Sequence, residues 1–349
     1  MKGADRIRVL SLNSHFDKVP LWQCHTTSIA SLDPAWHSKS ILPKFLGLLK
    51  NANYFDVILF YHDIRLAALF GTLRCIRKIK SRLVFQEFWF DVAHRCLPNS
   101  NVLDELRRSI SRLLHKVVAC TMDIVIVHTS EETKVYSDYF DVPNSRFKFI
   151  PYFGYPDAVF YSWVKQSKDT NPGYVLAAGR NRDFRCFVTA ITNTPWRGII
   201  VGGGSDRNEI DGTLPSNIEA HYEVSREKYR SLISGADVVV IPLHLERWQR
   251  ALGHIGMFEA MLMQKPVVAA RTFQLTDYAS ENEVLFYHPG DARHLREQIQ
   301  RIMQNEAFRN RLVQNAFTRV VNEFTEENYL IRLLETCRDI MGKKASMKS

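Results

Sequence analysis

Short apolar runs alternate with longer amphipathic stretches from one end of the chain to the other. The runs at 7–12, 57–60, 83–86, 124–128 and 147–150 are rich in Val, Ile, Leu and Phe and bounded by polar residues, which predicts strands covered on both faces. Between them, 42–51, 66–79, 102–119 and 131–140 carry apolar residues at helical spacing. Ser130, ahead of Glu131 and Glu132, reads as an N-cap followed by acidic residues in the first turn. A passage rich in Pro, Gly and Tyr over 151–173, with a polar run at 165–171, breaks the rhythm and predicts an interdomain linker. Strands resume at 174–178, 198–201, 217–220, 237–241, 266–269 and 284–287, with helices at 184–192, 225–234 and 253–264. Helical stretches at 292–304, 307–323 and 326–341 close the chain, before a polar tail at 343–349 that is expected to be disordered.

This alternation predicts an α/β protein built of two Rossmann-like, doubly wound domains facing across a cleft, with ligands at the carboxyl ends of the strands. The expected boundaries are an N-terminal domain over 1–155, a linker over 156–173 and a C-terminal domain over 174–325. A final helix and tail over 326–349 would return toward the first domain. A length of 349 residues suits two such domains.

Charge adds an asymmetry. Lys and Arg total 46 against 37 for Asp and Glu; residues 1–155 hold 21 basic and 14 acidic side chains, and 156–349 hold 25 and 23. The positive field therefore acts mainly on the first half. Over 65–82 six basic residues and no acidic one are interleaved with Leu66, Leu69, Phe70, Leu73, Ile76 and Ile79, which predicts a basic amphipathic helix. Such a helix could dock on an anionic membrane surface, although a domain helix with a solvated basic face has the same pattern. No nucleic-acid-binding module accompanies the basic patch, so no nucleic-acid partner is expected. The six scattered cysteines form neither a metal-ligand spacing nor a disulfide framework, and no metal site is expected. The N-terminus lacks the apolar core and cleavage site of a signal peptide, and no apolar run approaches the ~20 residues that span a bilayer. A cytoplasmic protein, peripheral on the inner face of the membrane, is the expectation.

The densest chemistry lies over 236–272. A buried strand ends at Pro242, a polar loop follows, Gly253 opens a helix carrying Glu259, and a second strand starts at Pro266. A glycine at a helix start lets an anion approach the free backbone N–H groups at the positive end of the dipole. Glu259, about one and a half turns in, could meet a nucleoside; a packing glycine and a solvated glutamate fit the residues as well.

The wider pattern resembles the donor-binding half of family 4 retaining glycosyltransferases, which have the GT-B fold. The resemblance rests on Ile241-Pro242, Glu259-Ala260-Met261 and Lys265-Pro266-Val267-Val268, and on Gly179-Arg180 after the strand at 174–178. It extends to Val201-Gly-Gly-Gly204 and to Pro289-Gly290-Asp291, covering roughly 174–340. It implies a metal-independent hexosyltransferase that takes a UDP- or GDP-linked sugar in the C-terminal domain, with no other cofactor. Gly179 and the Gly253 backbone would cradle the diphosphate, with Arg180 and Arg185 as its cations, and Arg182 a weaker third. Glu259 would hold the ribose, and backbone groups over 221–225, Val224 among them, would hold the base. A nucleotide-sugar 2-epimerase shares the fold but fits the Glu-Ala-Met pattern less well.

The sequence also departs from the family. The usual first glutamate of the donor motif falls on Ala251 by one count and on Glu246 by another, and Leu252-Gly253-His254 fits a branch that lacks it. His254 then becomes a candidate phosphate or sugar contact, or else a capped surface histidine. Where many members place a histidine after the strand at 83–86, this chain has Glu87-Phe88-Trp89-Phe90-Asp91. Glu87 or Asp91 could orient the acceptor hydroxyl near the reacting centre. The three aromatics would stack on sugar or fill the core, and His128 would face the cleft or lie in the core. The implied activity is transfer of a sugar to a growing cell-surface glycan or its lipid-linked precursor. The alternative is a non-catalytic GT-B scaffold that binds a nucleotide or a partner glycosyltransferase.

Overall fold

The computed structural model describes residues 7–76, 78–90, 102–154, 173–210, 213–244 and 252–346. The chain divides into two compact units, Met1–Ile150 with Glu327–Ser349, and Pro151–Glu326.

The first unit contains β1 (Val9–Ser11), α1 (Pro20–His25), β2 (Thr26–Ser28), α2 (Ile29–Leu32), α3 (Ile41–Asn51) and β3 (Val57–Tyr61). It continues through α4 (Ile64–Cys75), β4 (Arg82–Gln86), α5 (Val102–Thr121), β5 (Ile124–Val127), α6 (Ser130–Phe140) and β6 (Phe147–Phe149). Its six strands run parallel in the order β2-β1-β3-β4-β5-β6. Leu10, Ile58, Phe60, Leu83, Phe85 and Val125 fill the core, as β-branched and aromatic residues do in sheets covered on both faces.

The second unit contains β7 (Val175–Ala178), α7 (Phe184–Ile191), β8 (Gly198–Gly202), β9 (Ile218–Tyr222), α8 (Arg226–Ser234) and β10 (Val238–Ile241). It continues through α9 (His254–Leu262), β11 (Val267–Ala270), α10 (Phe273–Thr276), β12 (Leu285–Tyr287), α11 (Ala292–Gln304) and α12 (Glu306–Glu323). Its sheet is also parallel and six-stranded, ordered β12-β11-β10-β7-β8-β9. The last helix, α13 (Glu326–Ser346), belongs almost entirely to the first unit, where Leu330, Leu333 and Cys337 are buried and Tyr329 lies 5.9 Å from Phe16. Strand order reverses between β1 and β3 in one sheet and between β7 and β10 in the other, which marks where such sheets bind ligands. Two parallel Rossmann-like lobes of this kind constitute the GT-B architecture.

The structure corrects several local expectations. The cap of α6 is Thr129: its hydroxyl accepts from Glu132 N–H (3.2 Å), and the Glu132 carboxylate accepts from Thr129 N–H (2.9 Å). This capping box satisfies two backbone donors at once, which Ser130 cannot do. The basic amphipathic helix expected over 65–82 stops at Cys75. Asp123 draws Arg74 and Arg82 out of the basic set, accepting from Arg74 (2.7 Å) and Arg82 (2.8 Å), while Leu66, Phe70 and Ile79 are buried. The helix α13 continues to Ser346, through most of the tail expected to be disordered. The short elements β2, α1, α2 and α10 had no counterpart in the sequence pattern, because three to six residues are too few to show a period.

Candidate functional site

In the second unit the carboxyl ends of β7, β8 and β9 enclose a cavity of about 240 Å³, walled by Gly179, Arg180, Gly202, Glu223, Val224, Arg226 and Tyr229. Its floor is a pair of linked turns. Gly179 has φ +123°, and a Cβ there would run into the Arg182 guanidinium, so both backbone and space demand glycine. Arg182 is buried; it donates to Arg180 O (2.7 Å) and Ala178 O (3.3 Å), bracing the turn from beneath. Burial holds the Arg182 pKa below its usual value, with Tyr229 and Asp206 opposing that. Asp206, also buried, accepts from Asn181 N–H (3.0 Å) and Gly203 N–H (2.6 Å), and so ties the Gly179–Arg180 turn to the glycine-rich loop after β8.

Arg180 reaches across Gly203 to Glu223, Nη2 to Oε2 3.1 Å, with side chains 74% and 53% exposed. So exposed a pair is worth about 0–1 kcal/mol, and a phosphate can displace the carboxylate at little cost. Glu223 itself stands at φ +52° and accepts from Gly204 N–H (2.5 Å).

Behind the cavity lies α9. Gly253, its N-cap, has φ +85°, and a Cβ there would sit 3.0 Å from Ile241 and 3.2 Å from Leu275. It brings no capping side chain to the helix N-terminus, where backbone N–H groups favour an anion. Glu259 is buried at 6% exposure, its Oε1 3.4 Å from Arg230 Nε and 3.6 Å from Arg226 Nη2. Arg226 is both a wall of the cavity and a partner of Glu259, so this carboxylate is wired to the cavity edge. Tyr229 closes the wall with its hydroxyl facing Gly256, and burial, reinforced by Glu259, pushes its pKa well up, which keeps the phenol neutral.

Of the residues singled out from sequence, Gly179, Arg180 and Val224 line the cavity, and Glu259 backs it through Arg226. Arg185 lies exposed on α7 and is not a wall residue. His254 starts α9, but its ring is turned inward, stacked on Tyr278 (5.0 Å, 12°) and edge-on to Tyr152 and Phe258. Asp91, Glu246 and Ala251 lie outside the described residues, as does most of the expected linker. Sequence reasoning missed Asp206, Glu223, Arg226, Tyr229 and Arg230. Asp206, close behind the triple glycine, carried a usable signal; the others are ordinary surface types until the fold gathers them.

The first unit holds a second cavity, of about 560 Å³, at its own strand-order reversal. Leu12 and Ser14 after β1, Tyr61 to Leu66 after β3, and Trp36, His37 and Lys44 line it. His62 and Glu87 follow the paired strand ends Tyr61 and Gln86, and both adopt left-handed backbones, φ +57° and +55°. Non-glycine residues rarely accept that conformation, and two side by side at a sheet's carboxyl edge is the kind of strain found at functional sites. Their side chains meet, His62 Nε2 to Glu87 Oε2, at 3.1 Å. His128, after β5, is buried beneath them; burial holds its pKa down while Glu87 pulls it up. Phe88 and Phe90 are core residues, whereas Trp89 is half exposed. Among the described residues no group of three His, Cys, Asp or Glu side chains could hold a metal ion.

Residues 181–319 match the family described as Glycosyl transferases group 1. Among solved structures the chain is similar to sucrose-phosphate synthase from Thermosynechococcus elongatus, at 21% identity over 88% of this chain and 79% of that one (TM-score 0.61). It is similar to Anabaena Alr3699/HepE in complex with UDP-glucose, at 14% identity over 95% and 100% (TM-score 0.62). A glycosyltransferase from Rickettsia africae ESF-5 matches at 12% identity over 97% and 99% (TM-score 0.64). Such identities speak to the fold, and the fold is GT-B. No curated protein matches the sequence.

Proposed function

With residues 181–319 a glycosyl transferases group 1 domain in a chain of GT-B fold, we propose that the protein is a retaining glycosyltransferase that moves a sugar from a nucleoside-diphosphate donor to a glycan or lipid-linked acceptor. The observation that carries this is the cavity at the ends of β7, β8 and β9, with a bare glycine turn, a displaceable arginine and a buried glutamate around it. The base lies against Val224, and the ribose hydroxyls donate to Glu259, whose charge Arg226 and Arg230 hold in place. The diphosphate rests on the Gly179 turn and the N-terminus of α9. His254 contributes there through its backbone, its ring being committed to packing on Tyr278. Arg180 leaves Glu223 for the diphosphate, and with Arg185 neutralises charge developing on the departing group, so the reading calls on no divalent cation. UDP, the nucleotide of the Anabaena relative's complexes, is the first donor nucleotide to test.

The acceptor binds in the cavity of the first unit, its sugar ring against Trp36 and Tyr61. The His62–Glu87 pair orients the attacking hydroxyl, and the donor phosphate takes its proton on the same face of the sugar, which retains configuration.

The test is nucleoside diphosphate release from UDP- and GDP-sugars in the presence of membrane-derived acceptor. Release unaffected by chelator, and lowered about 10²–10³-fold in Arg180→Ala, is expected, with anomeric retention visible by NMR. The Arg180–Glu223 pair also favours a second reading, a nucleotide-binding scaffold whose diphosphate cation is internally masked. Nucleotide binding with no release from any donor would establish that reading instead.

A further inference from the structure

The apolar stripe of an amphipathic helix in a folded domain normally faces the core. In α5 a different face does that work: Val118 and Ala119 are buried, and His115 packs against Phe88 (5.2 Å) and Phe90 (4.8 Å). Leu103, Leu106, Ile110 and Leu113, spaced three, four and three residues apart, form a separate stripe that is 62%, 55%, 49% and 62% exposed. On the helical wheel Arg107, 3.3 Å from Asp104, borders this stripe on one side and Lys116 borders it on the other; both are exposed. The neighbouring helix α4, which approaches closely where Gly71 meets Thr121, adds the exposed Leu69, and its C-cap is the exposed Ile76.

The charge distribution sharpens this. Counting Asp123, which pairs with Arg74 and Arg82, residues 65–123 hold 11 basic and 5 acidic side chains, an excess of six, while the rest of 1–155 holds 10 and 9. Six of the seven excess positive charges of the first half thus belong to the segment that carries the exposed stripe. A second copy pairing through the same face would bring two such fields together, which opposes self-association.

We propose that the exposed stripe of α5 docks the protein on an anionic lipid bilayer. Leu103, Leu106, Ile110 and Leu113 enter the boundary between headgroups and acyl chains, with Arg107 and Lys116 on the lipid phosphates. The helix is about 30 Å long and lies in the plane of the interface. This goes beyond the glycosyltransferase reading and depends on no residue of the donor cavity.

The experiment is co-sedimentation of the full-length protein with vesicles of mixed phosphatidylglycerol and phosphatidylcholine, against phosphatidylcholine alone. Binding to the anionic vesicles is expected to be about tenfold tighter or more, and to weaken with added salt. The pair Leu106→Ser/Leu113→Ser and the pair Arg107→Glu/Lys116→Glu should each weaken it at least about tenfold. Arg293→Glu, at an exposed position on α11, should leave it unchanged. Circular dichroism and UDP binding verify that the variants are folded. Equal affinity for both vesicle types, no affinity for either, or undiminished binding by the leucine pair would overturn the proposal. So would a wild-type dimer that the leucine pair dissolves, which would assign the stripe to a second copy.

Discussion

Both units solve one geometric problem in opposite ways. Each is a six-stranded parallel sheet whose strands must turn sharply at their carboxyl ends, where the ligand sites form. In the second unit glycine takes two of the positive-φ positions, Gly179 after β7 and Gly253 at the start of α9, which lays the backbone bare there, while Asn181 and Glu223 hold left-handed backbones beside the same cavity. In the first unit His62 and Glu87 take them, so the same kind of turn presents an imidazole and a carboxylate 3.1 Å apart. On the proposed function, one edge would bind anions through N–H groups and the other would hold and polarise a hydroxyl. The difference lies in whether a positive-φ position is given to glycine, as at Gly179, or to a functional side chain, as at His62 and Glu87.

Reversing the residue types breaks the comparison most severely in the second unit. Gly253→Ala places a Cβ 3.0 Å from Ile241 on a backbone of φ +85°. A loss of about 2–3 kcal/mol is expected, with a lower Tm and weakened nucleotide binding. An unchanged Tm would mean that the turn is not held as described.

The opposite exchange in the first unit separates fold from function. His62→Gly relieves the left-handed strain at a half-exposed position, which offsets much of the cost of leaving the buried Glu87 without this partner, so stability should change by no more than about 1–2 kcal/mol. It also removes the partner of Glu87, so transfer to acceptor should fall while hydrolysis of the donor persists. Denaturant titration and product analysis on the same sample check both halves.

His128 sharpens the comparison through pH. Burial holds its folded pKa below the value of about 6.5 expected in the unfolded chain. Between these values the unfolded state binds more protons, so stability is full above about pH 6.5 and declines as pH falls toward the folded pKa. A Tm profile between neutral and mildly acidic pH should therefore slope downward on the acid side, and His128→Asn should flatten it.

The same contrast explains what the sequence disclosed. Glycines are visible as letters, so the Gly179–Arg180 turn, the loop at 202–204 and the start of α9 could be located before any coordinates. A left-handed histidine or glutamate looks like any other, which is why His62 escaped notice and Glu87 was reached only through its place after a strand. Helical periodicity proposed a basic docking surface at 65–82, but it could not reveal that Asp123 would claim Arg74 and Arg82 from more than forty residues away. Nor could it show that α5, whose inward face is already satisfied by Val118 and Ala119, would leave a second apolar stripe outside. Both outcomes are set by tertiary partners. For the same reason His254, adjacent to a glycine turn, is read as a ligand contact from sequence, while the fold turns its ring onto Tyr278.

The central claim is that a nucleoside diphosphate is held between the Gly179 turn and Glu259. Thermal denaturation with UDP and GDP, on the wild type and on Glu259→Gln, tests it most directly. Glu259→Gln keeps the shape of the side chain and removes the charged acceptor. One nucleotide at about 100 times its Kd should stabilise the wild type by about 2.7 kcal/mol, with affinity about tenfold or more weaker in Glu259→Gln. Stabilisation equal in both proteins, or absent with every nucleotide, would contradict the account.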